Sequence, residues 1–266
     1  MMAKKILSKL FYFVLSAAFF GGLLFYFFPL PGNASVLMYH FVGSKVDADW
    51  SKNYVSRESF AAQMKFLDWF GYRVISLDEY YQVLSGARRP QSKEVVLTFD
   101  DGNMTFESDA FPVLKRHKFP ATIFLVSENL KTGNAGSMTT DIVRPMLSSG
   151  LITIGSHSKT HPLLSKIKPN QIYDELTGSK SDLEAMFGVP VHYLAYPGGD
   201  VNSKVLELTR EAGYRLAFST AAKKVKGLPE GAYTLPRIKI SRSADNLFVF
   251  WVKISGLYEY VKKLRA

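Results

Sequence analysis

The chain has 266 residues, of which 47% are hydrophobic and 21% are charged, and its formal net charge is +10. This length and composition suit one sizeable globular unit and exclude a disordered or low-complexity protein. Because the chain contains no cysteine, any metal must be held by His, Asp or Glu. The basic residues are scattered and no nucleic-acid motif is present, so nucleic acid is not an expected partner.

An apolar run of 21 residues without a charge, Leu10–Leu30, lies near the start of the chain. As a helix it would be about 31 Å long, enough to cross the hydrocarbon core of a bilayer. Three lysines precede the run and the next charge is Lys45. The positive-inside rule then predicts a cytoplasmic N-terminus and transmembrane anchor over 1–31 and an extracytoplasmic domain over 32–266, in a single-pass protein of the cytoplasmic membrane. A cleaved signal peptide is the alternative, although its apolar region is usually only about 7–15 residues long.

Short apolar runs alternate with helical patterns in the rest of the chain. The runs predict strands at Val36–His40, Arg73–Ser76, Val95–Asp100, Ala121–Val126, Ile152–Gly155, Tyr193–Tyr196, Leu216–Thr220 and Leu235–Ile240. The periodic segments predict helices at Arg57–Phe70, Leu77–Leu84, Phe106–His117, Asp141–Ser148, Pro169–Phe187 and Ser203–Ala212. Strands separated by helices predict parallel βαβ units and an α/β fold, either a (β/α) barrel of about seven strands or a doubly wound open sheet. In both folds, catalytic groups collect at the carboxyl ends of the strands.

Two adjacent carboxylates end one of these strands. Asp100 and Asp101 close the run EVVLTFDDG, in which Gly102 permits a sharp exit from the strand. Like charges this close raise each other's pKa, so the pair is costly unless a cation lies nearby. An isolated Asp-Asp pair could also cap the N-terminus of a helix, and this alternative stays open at this point.

Two histidines follow another predicted strand. Ile152–Gly155 leads straight into the segment SHSKTH, which contains His157 and His161. The spacing of four residues predicts that both imidazoles lie on one side of a helical turn, where they can share a metal ion. Either could instead be a core histidine, but together with a carboxylate at another strand end they predict a His, His, Asp metal site.

At these motifs the sequence resembles the polysaccharide deacetylase family, also called the NodB homology domain of carbohydrate esterase family four. The matching segments are TFDDG at Thr98–Gly102, SHSKTH at Ser156–His161 and YPGG at Tyr196–Gly199. The segments VLMYH at Val36–His40 and LPRI at Leu235–Ile238 look most like the subgroup that includes the poly-N-acetylglucosamine deacetylases. The resemblance covers most of residues 35–240.

The resemblance implies a distorted (β/α) barrel with a divalent metal, Zn²⁺ first and Co²⁺ or Ni²⁺ as alternatives. It implies Asp101, His157 and His161 as the metal ligands and Asp100 as the general base. One departure concerns the base, because Ala195 stands where many family members carry the arginine that orients it.

A second departure concerns the general acid, because Arg237 lies in the stretch where many family members carry a late histidine. His40 ends the first strand, at a position where barrels place catalytic groups, and we therefore expect it to be the acid. Backbone N–H groups around Tyr196, Pro197 and Gly198, together with Arg237, are the predicted contacts for the substrate or the oxyanion.

The predicted function is metal-dependent hydrolysis of N-acetyl groups from amino sugars in an envelope or extracellular polysaccharide or glycolipid. Two other functions stay open: a non-catalytic carbohydrate-binding relative with the same barrel, and a metal hydrolase acting on another amide or ester. Poly-N-acetylglucosamine, peptidoglycan and a lipid-linked amino sugar are all candidate substrates.

Overall fold

The computed structural model describes residues 12, 14–16, 21, 34–43, 53–134, 136–220 and 231–256. Within these residues, no helix is both long enough and apolar enough to cross a membrane. The anchor predicted at Leu10–Leu30 lies largely outside the described residues.

A parallel barrel is the centre of the fold. The described strands are β1 Ser35–Tyr39, β2 Phe41–Gly43, β3 Tyr54–Ser56, β4 Arg73–Val74, β5 Glu94–Phe99, β6 Ala121–Leu125, β7 Ile152–Ser156, β8 Tyr193–Ala195, β9 Leu216–Thr220 and β10 Leu235–Lys239. Strands β1 and β5 to β10 follow one another around a ring, which closes because β1 pairs with both β5 and β10. Every pairing in the ring is parallel. The predicted (β/α) barrel of about seven strands is confirmed, and the open sheet is excluded.

Strand β4 lies beside the ring rather than within it. Val95, near the amino end of β5, pairs with Ser35 of β1 on one edge and with Val74 of β4 on the other. Nearer the carboxyl end of β5, the edge that pairs with β4 at the amino end pairs with β6 instead. The strand predicted over Arg73–Ser76 therefore exists only as a short addition at the amino end of the barrel.

Helices connect the strands as predicted. They are α1 Arg57–Trp69, α2 Leu77–Leu84, α3 Phe111–His117, α4 Ser127–Thr132, α5 Thr140–Ser148, α6 Pro169–Phe187, α7 Ser203–Glu211 and α8 Leu247–Ile254. The hydroxyls of Ser56 and Ser76 cap α1 and α2 by accepting the backbone N–H three residues further on. The helix predicted over Phe106–His117 starts with a π-helical turn, Phe106–Ala110, before α3 begins. Helices α4 and α8, and the small parallel sheet of β2 and β3, were not predicted.

Apolar side chains fill two layers, one inside the barrel and one between the strands and the helices. Successive side chains along a strand point to opposite faces and so belong to different layers. Val96 of β5 points inward, whereas its neighbours Val95 and Leu97 face the helices. Gly155 of β7 faces the interior beside Phe124 of β6, and a Cβ atom on it would lie 2.5 Å from the phenyl ring. The interior is therefore packed closely around Gly155 and Phe124.

Candidate active site and metal cluster

A cavity of about 440 Å³ opens at the carboxyl end of the barrel. Its walls include His40, which follows β1, Asp100 and Asp101, which follow β5, and His157, which follows β7. Of the other predicted site residues, His161, Tyr196, Gly198 and Arg237 also line the cavity, whereas Pro197 does not. The topology thus brings together side chains that are far apart in the sequence.

Asp101, His157 and His161 form a cluster that could hold a metal ion. Asp101 Oδ1 lies 3.4 Å from His157 Nε2 and 3.6 Å from His161 Nε2. In a tetrahedral site with Zn–N and Zn–O bonds of about 2.0–2.1 Å, neighbouring ligand atoms lie about 3.4 Å apart, so the spacing fits a zinc-sized ion. His157 Nδ1 donates to Ala195 O at 2.7 Å, which leaves Nε2 to face the cluster.

The loop that carries the two histidines differs from the prediction. His157 and His161 were expected on a helical turn, but the segment after β7 is not helical, and Ser158 and His161 have φ of 63° and 65°. That part of the prediction is wrong because side chains bind the loop backbone: Ser156 Oγ accepts the N–H of Ser158, and Ser158 Oγ accepts the N–H of His161.

A carboxylate that the sequence analysis missed fixes the same loop. Glu175 of α6 is buried, and its Oε2 accepts the backbone N–H groups of Lys159 and Thr160, each at 2.8 Å. Its Oε1 accepts the hydroxyl of Thr160. Glu175 lies in the middle of a helix, 14 residues beyond His161, so no local sequence signal links it to the loop.

Asp100 lies in a different environment. Arg237 Nη1 and Nη2 donate to its two carboxylate oxygens at 2.6 and 2.7 Å, and both side chains are buried. Arg237 also donates to Thr98 Oγ1, and its guanidinium lies 5.3 Å from the ring centroid of Phe124. Burial by itself would raise the pKa of Asp100, but the charge of Arg237, helped by the nearby histidines, outweighs burial and lowers it. Arg237 was predicted as a substrate or oxyanion contact, and in the structure its guanidinium binds the carboxylate of Asp100 while also lining the cavity.

His40 lies beside this pair. Its Nε2 is 4.0 Å from Asp100 Oδ2, and its Nδ1 is buried without a hydrogen-bond partner among the described residues. Burial lowers the pKa of His40, while the carboxylates of Asp100 and Asp101 act in the opposite direction without cancelling that effect. His40 therefore lies beside Asp100 in the cavity that also contains the cluster, as expected for a residue that could exchange a proton with a bound molecule.

The YPGG loop supplies backbone rather than side-chain groups. The hydroxyl of Tyr196 points into the core and donates to Tyr233 O, and its backbone N–H donates to Phe218 O. Pro197 has no N–H, and the N–H of Gly199 donates to Tyr196 O. In the part of the chain that the structure describes, the N–H of Gly198 has no hydrogen-bond partner, and Gly198 borders the cavity with φ of 60°.

Active sites of parallel (β/α) barrels lie at this end of the strands, so the fold and the cavity define a barrel enzyme. A polysaccharide deacetylase family model matches residues 87–217. The chain is 31% identical over 211 residues to YxkH of Bacillus subtilis (strain 168), whose name assigns it to the polysaccharide deacetylases, covering 79% of this chain and 72% of that one.

Two further relatives agree. The polysaccharide deacetylase BC0361 from Bacillus cereus has a crystal structure that superposes with a TM-score of 0.73 at 30% identity, covering 84% of this chain and 69% of that one. The poly-beta-1,6-N-acetyl-D-glucosamine N-deacetylase of Staphylococcus aureus (strain MSSA476) is 28% identical over 228 residues, covering 80% of this chain and 76% of that one. The chain belongs to the polysaccharide deacetylase family, and the prediction of an enzyme of this class is confirmed.

Proposed function

We propose that this protein is a metal-dependent deacetylase that hydrolyses the N-acetyl groups of amino sugars in an extracytoplasmic polysaccharide. One observation carries the proposal: the two neighbouring carboxylates share one cavity but have different partners. Asp101 faces two imidazoles, and Asp100 is held by Arg237. Hydrolysis of an amide by a metal enzyme requires these two parts, a ligand set and a separate base.

Asp101, His157 and His161 would hold the ion, and their spacing fits Zn²⁺ while leaving Co²⁺ and Ni²⁺ as alternatives. When bound, such an ion supplies Lewis acidity, which polarises the acetyl carbonyl and acidifies water. A non-catalytic binding protein would not require Asp100, since binding alone needs no base.

Asp100 is the proposed general base. Its pKa is lowered, so the carboxylate is ionised at neutral pH and ready to accept a proton from the attacking water. Arg237 orients both carboxylate oxygens, so it takes the positioning role for which the third motif offers only Ala195. The water oxygen bonds to the acetyl carbon, and negative charge develops on the former carbonyl oxygen.

The N–H of Gly198 is the proposed protein donor to that oxygen, because it borders the cavity and has no partner among the described residues. When the carbon–nitrogen bond breaks, the leaving amine must gain a proton, and His40 is the proposed donor. The products are acetate and a free amino sugar.

The substrate we propose is a polymer of β-linked N-acetylglucosamine. The similarity to the Staphylococcus aureus poly-beta-1,6-N-acetyl-D-glucosamine N-deacetylase supports this choice over peptidoglycan or a lipid-linked amino sugar. The run Leu10–Leu30, preceded by lysines, supports a single membrane anchor with the barrel outside the cytoplasm. Protease treatment of intact cells tests that location, since a cytoplasmic barrel would stay protected.

Acetate release tests the function directly. The purified full chain is incubated with β-1,6-linked N-acetylglucosamine oligomers, with β-1,4-linked oligomers and with peptidoglycan, before and after chelation and re-addition of Zn²⁺. We expect release from the β-1,6-linked oligomers, loss after chelation and recovery with the metal. Release only from peptidoglycan would refute the polymer, activity that survives chelation would refute the metal, and binding without acetate release would refute the deacetylase.

A further inference from the structure

A basic and aromatic surface lies at the end of the barrel opposite the cavity, where α1 and α3 end. We call it the amino-end patch, and its members are Lys65, Trp69, Phe70, Lys93, Lys115, Arg116 and Lys118. Trp69 is 78% exposed and Phe70 is 39% exposed. Since an indole ring gains free energy by leaving water, an exposed Trp next to an exposed Phe marks a surface that contacts something apolar.

Contacts between neighbouring elements make the patch one continuous surface. Lys65 Nζ lies 5.7 Å from the ring centroid of Trp69, and Lys93 Nζ donates to Phe70 O at 3.1 Å. His117 Nδ1 lies 3.1 Å from Asp68 Oδ2, which joins the last turn of α3 to the last turn of α1. These contacts bring the exposed aromatic residues at the end of α1 and the cations at the end of α3 to the same end of the barrel.

The charge of this face is positive. Lys115, Arg116 and Lys118 are exposed at the end of α3, and the five cations of the patch outnumber Asp68, the acid that contacts His117 at the end of α1. At the opposite end of the barrel the cavity carries the carboxylates of Asp100 and Asp101. Aromatic rings flanked by lysine and arginine are the composition that binds the interface of an anionic bilayer.

The amino end of β1 lies at the same end of the barrel as the patch. Ser35 of β1 and Val74 of β4 pair with the two edges of Val95, so they lie about 10 Å apart at strand spacings of about 4.8 Å. Only residues 31–33 separate the apolar run Leu10–Leu30 from Ala34. Leu30 and Ala34 are four residue steps apart and so at most about 14 Å from each other, and an anchored chain must therefore hold this end of the barrel close to the bilayer.

We propose that the amino-end patch rests on the anionic surface of the membrane that holds the anchor, and that the catalytic cavity faces away from the bilayer. This inference rests on the membrane anchor of the proposed function. Trp69 and Phe70 enter the headgroup region, and the cations contact lipid phosphates. Strand β5 has six residues, which places the cavity about 20 Å further from the lipid than the patch.

The test uses the full chain in vesicles of phosphatidylcholine and phosphatidylglycerol that contain a lipid with a spin label near its headgroup. Because the chain has no cysteine, single sites can be labelled with an environment-sensitive fluorophore at Trp69→Cys and, as a control, at Leu163→Cys. Leu163 is also an exposed apolar residue, 51% exposed, but it lies beside Gly198 at the cavity end. We expect the label at position 69 to be quenched severalfold more than the label at position 163.

A second comparison tests the charge. Lys115→Glu with Lys118→Glu should lower the quenching at position 69, whereas Lys166→Glu with Lys168→Glu, an equal charge change at the cavity end, should not. Raising the salt from about 0.1 M to about 1 M should also lower it, because the Debye length falls from about 10 Å to about 3 Å.

Acetate release and flotation with the vesicles are measured on the same preparations. A chain that floats and releases acetate, but shows equal quenching at the two sites or no response to the charge change, overturns the patch and leaves the deacetylase standing. A chain that does not float overturns the anchor, and the proposed orientation with it.

Discussion

Asp100 and Asp101 are neighbours in the chain, but their carboxylates lie in two regions of opposite character. The Asp100 side chain is 3% exposed and receives two hydrogen bonds from Arg237. The Asp101 side chain is 27% exposed and faces the Nε2 atoms of His157 and His161. Asp101 has φ of 70°, so the backbone turns sharply between the two residues and their side chains leave in different directions.

This difference shows how one strand end can supply two chemical roles. Carboxylates in one environment would raise each other's pKa, but here each has its own partner, Arg237 for Asp100 and the two imidazoles for Asp101. Burial would raise the pKa of Asp101, yet hydrogen bonding and charge from His157 hold it well below its usual value. Arg237 has the corresponding effect on Asp100. Substitutions in each region should therefore have separable effects.

Removing a ligand should have the largest effect. We expect His157→Ala to lose both bound metal and deacetylation, because the site would keep only two protein ligands. The fold should persist, since the cluster lies at the barrel mouth. Metal analysis and thermal unfolding test this, with His192→Ala at the amino side of β8 as the control. Undiminished metal in His157→Ala would refute the ligand assignment.

Removing the base should lower the reaction rate nearly as much as removing a ligand does, but it should leave the metal content unchanged. Asp100→Asn keeps the shape of the side chain but cannot accept a proton, so we expect a loss of about 10²–10⁴-fold in kcat. Metal content should be unchanged, whereas Asp101→Asn, the matched variant one residue away, should lose metal. If Asp100→Asn lost the metal and Asp101→Asn kept it, the two roles would have to be exchanged.

His40→Ala should retain the metal and lose about 10²–10⁴-fold in kcat, as expected for removal of a general acid. An acid must be protonated to act, so activity in the native enzyme falls as the pH rises through its pKa. Burial lowers the pKa of His40, which places this alkaline limb below about pH 6.5. The variant should show no such limb in its pH–rate profile. A fully active His40→Ala enzyme would show that another group is the general acid.

Arg237→Gln should lower kcat about 10–100-fold, the range seen when a group that supports an active-site residue is lost. Without the guanidinium the pKa of Asp100 rises, so the acid limb of the pH–rate profile should move to higher pH. Arg237→Lys keeps the charge but not the paired hydrogen bonds, and should shift the limb less. An unchanged acid limb in Arg237→Gln would argue against Asp100 as the base.

Arg237→Gln should also lower the free energy of unfolding. The pKa of Asp100 is lower in the folded protein than in the unfolded chain, so its pairing stabilises the fold at neutral pH and that contribution is lost as the pH falls through the folded pKa. Leaving a buried carboxylate unpaired costs about 3–5 kcal/mol at neutral pH. Urea unfolding at neutral and acid pH should therefore show a smaller loss in acid.

Glu175→Gln should have the smallest effect, because it acts on the metal only through the loop that carries His157 and His161. We expect metal affinity to fall about tenfold with little change in the metal-saturated kcat. Asp174→Asn, an exposed neighbour on the same helix, is the control. Equal metal affinity in the two variants would show that the loop keeps its shape without Glu175.

The sequence predicted the parts of the molecule that depend on local pattern. Apolar runs and helix caps gave the barrel, and the position of Asp100, Asp101 and His157 at strand ends brought them to one cavity. Two features of the site could not be predicted from local sequence patterns, and the first is an ion pair between distant residues. The pairing of Arg237 with Asp100 joins residues 137 positions apart, and it depends on which strand follows β9 around the ring.

The second feature is the backbone conformation of the loop that carries His157 and His161. A spacing of four residues favours a helical turn when nothing else acts on the segment, but Ser156, Ser158 and Glu175 bind its backbone N–H groups. Such side-chain acceptors compete with the hydrogen bonds of a helix. No local sequence pattern predicts that these side chains contact the backbone of the loop.

The glycine inside β7 has a consequence for redesign of the enzyme. Glycine normally weakens a strand, and Gly155→Ala would look like a simple stabilising change on propensity alone. However, the added methyl group would displace the ring of Phe124, on which the guanidinium of Arg237 lies. The volume of the barrel interior is thus linked, through one ring and one guanidinium, to the orientation of the base. Attempts to make the core more robust by filling it would alter the chemistry at the mouth before they improved the scaffold.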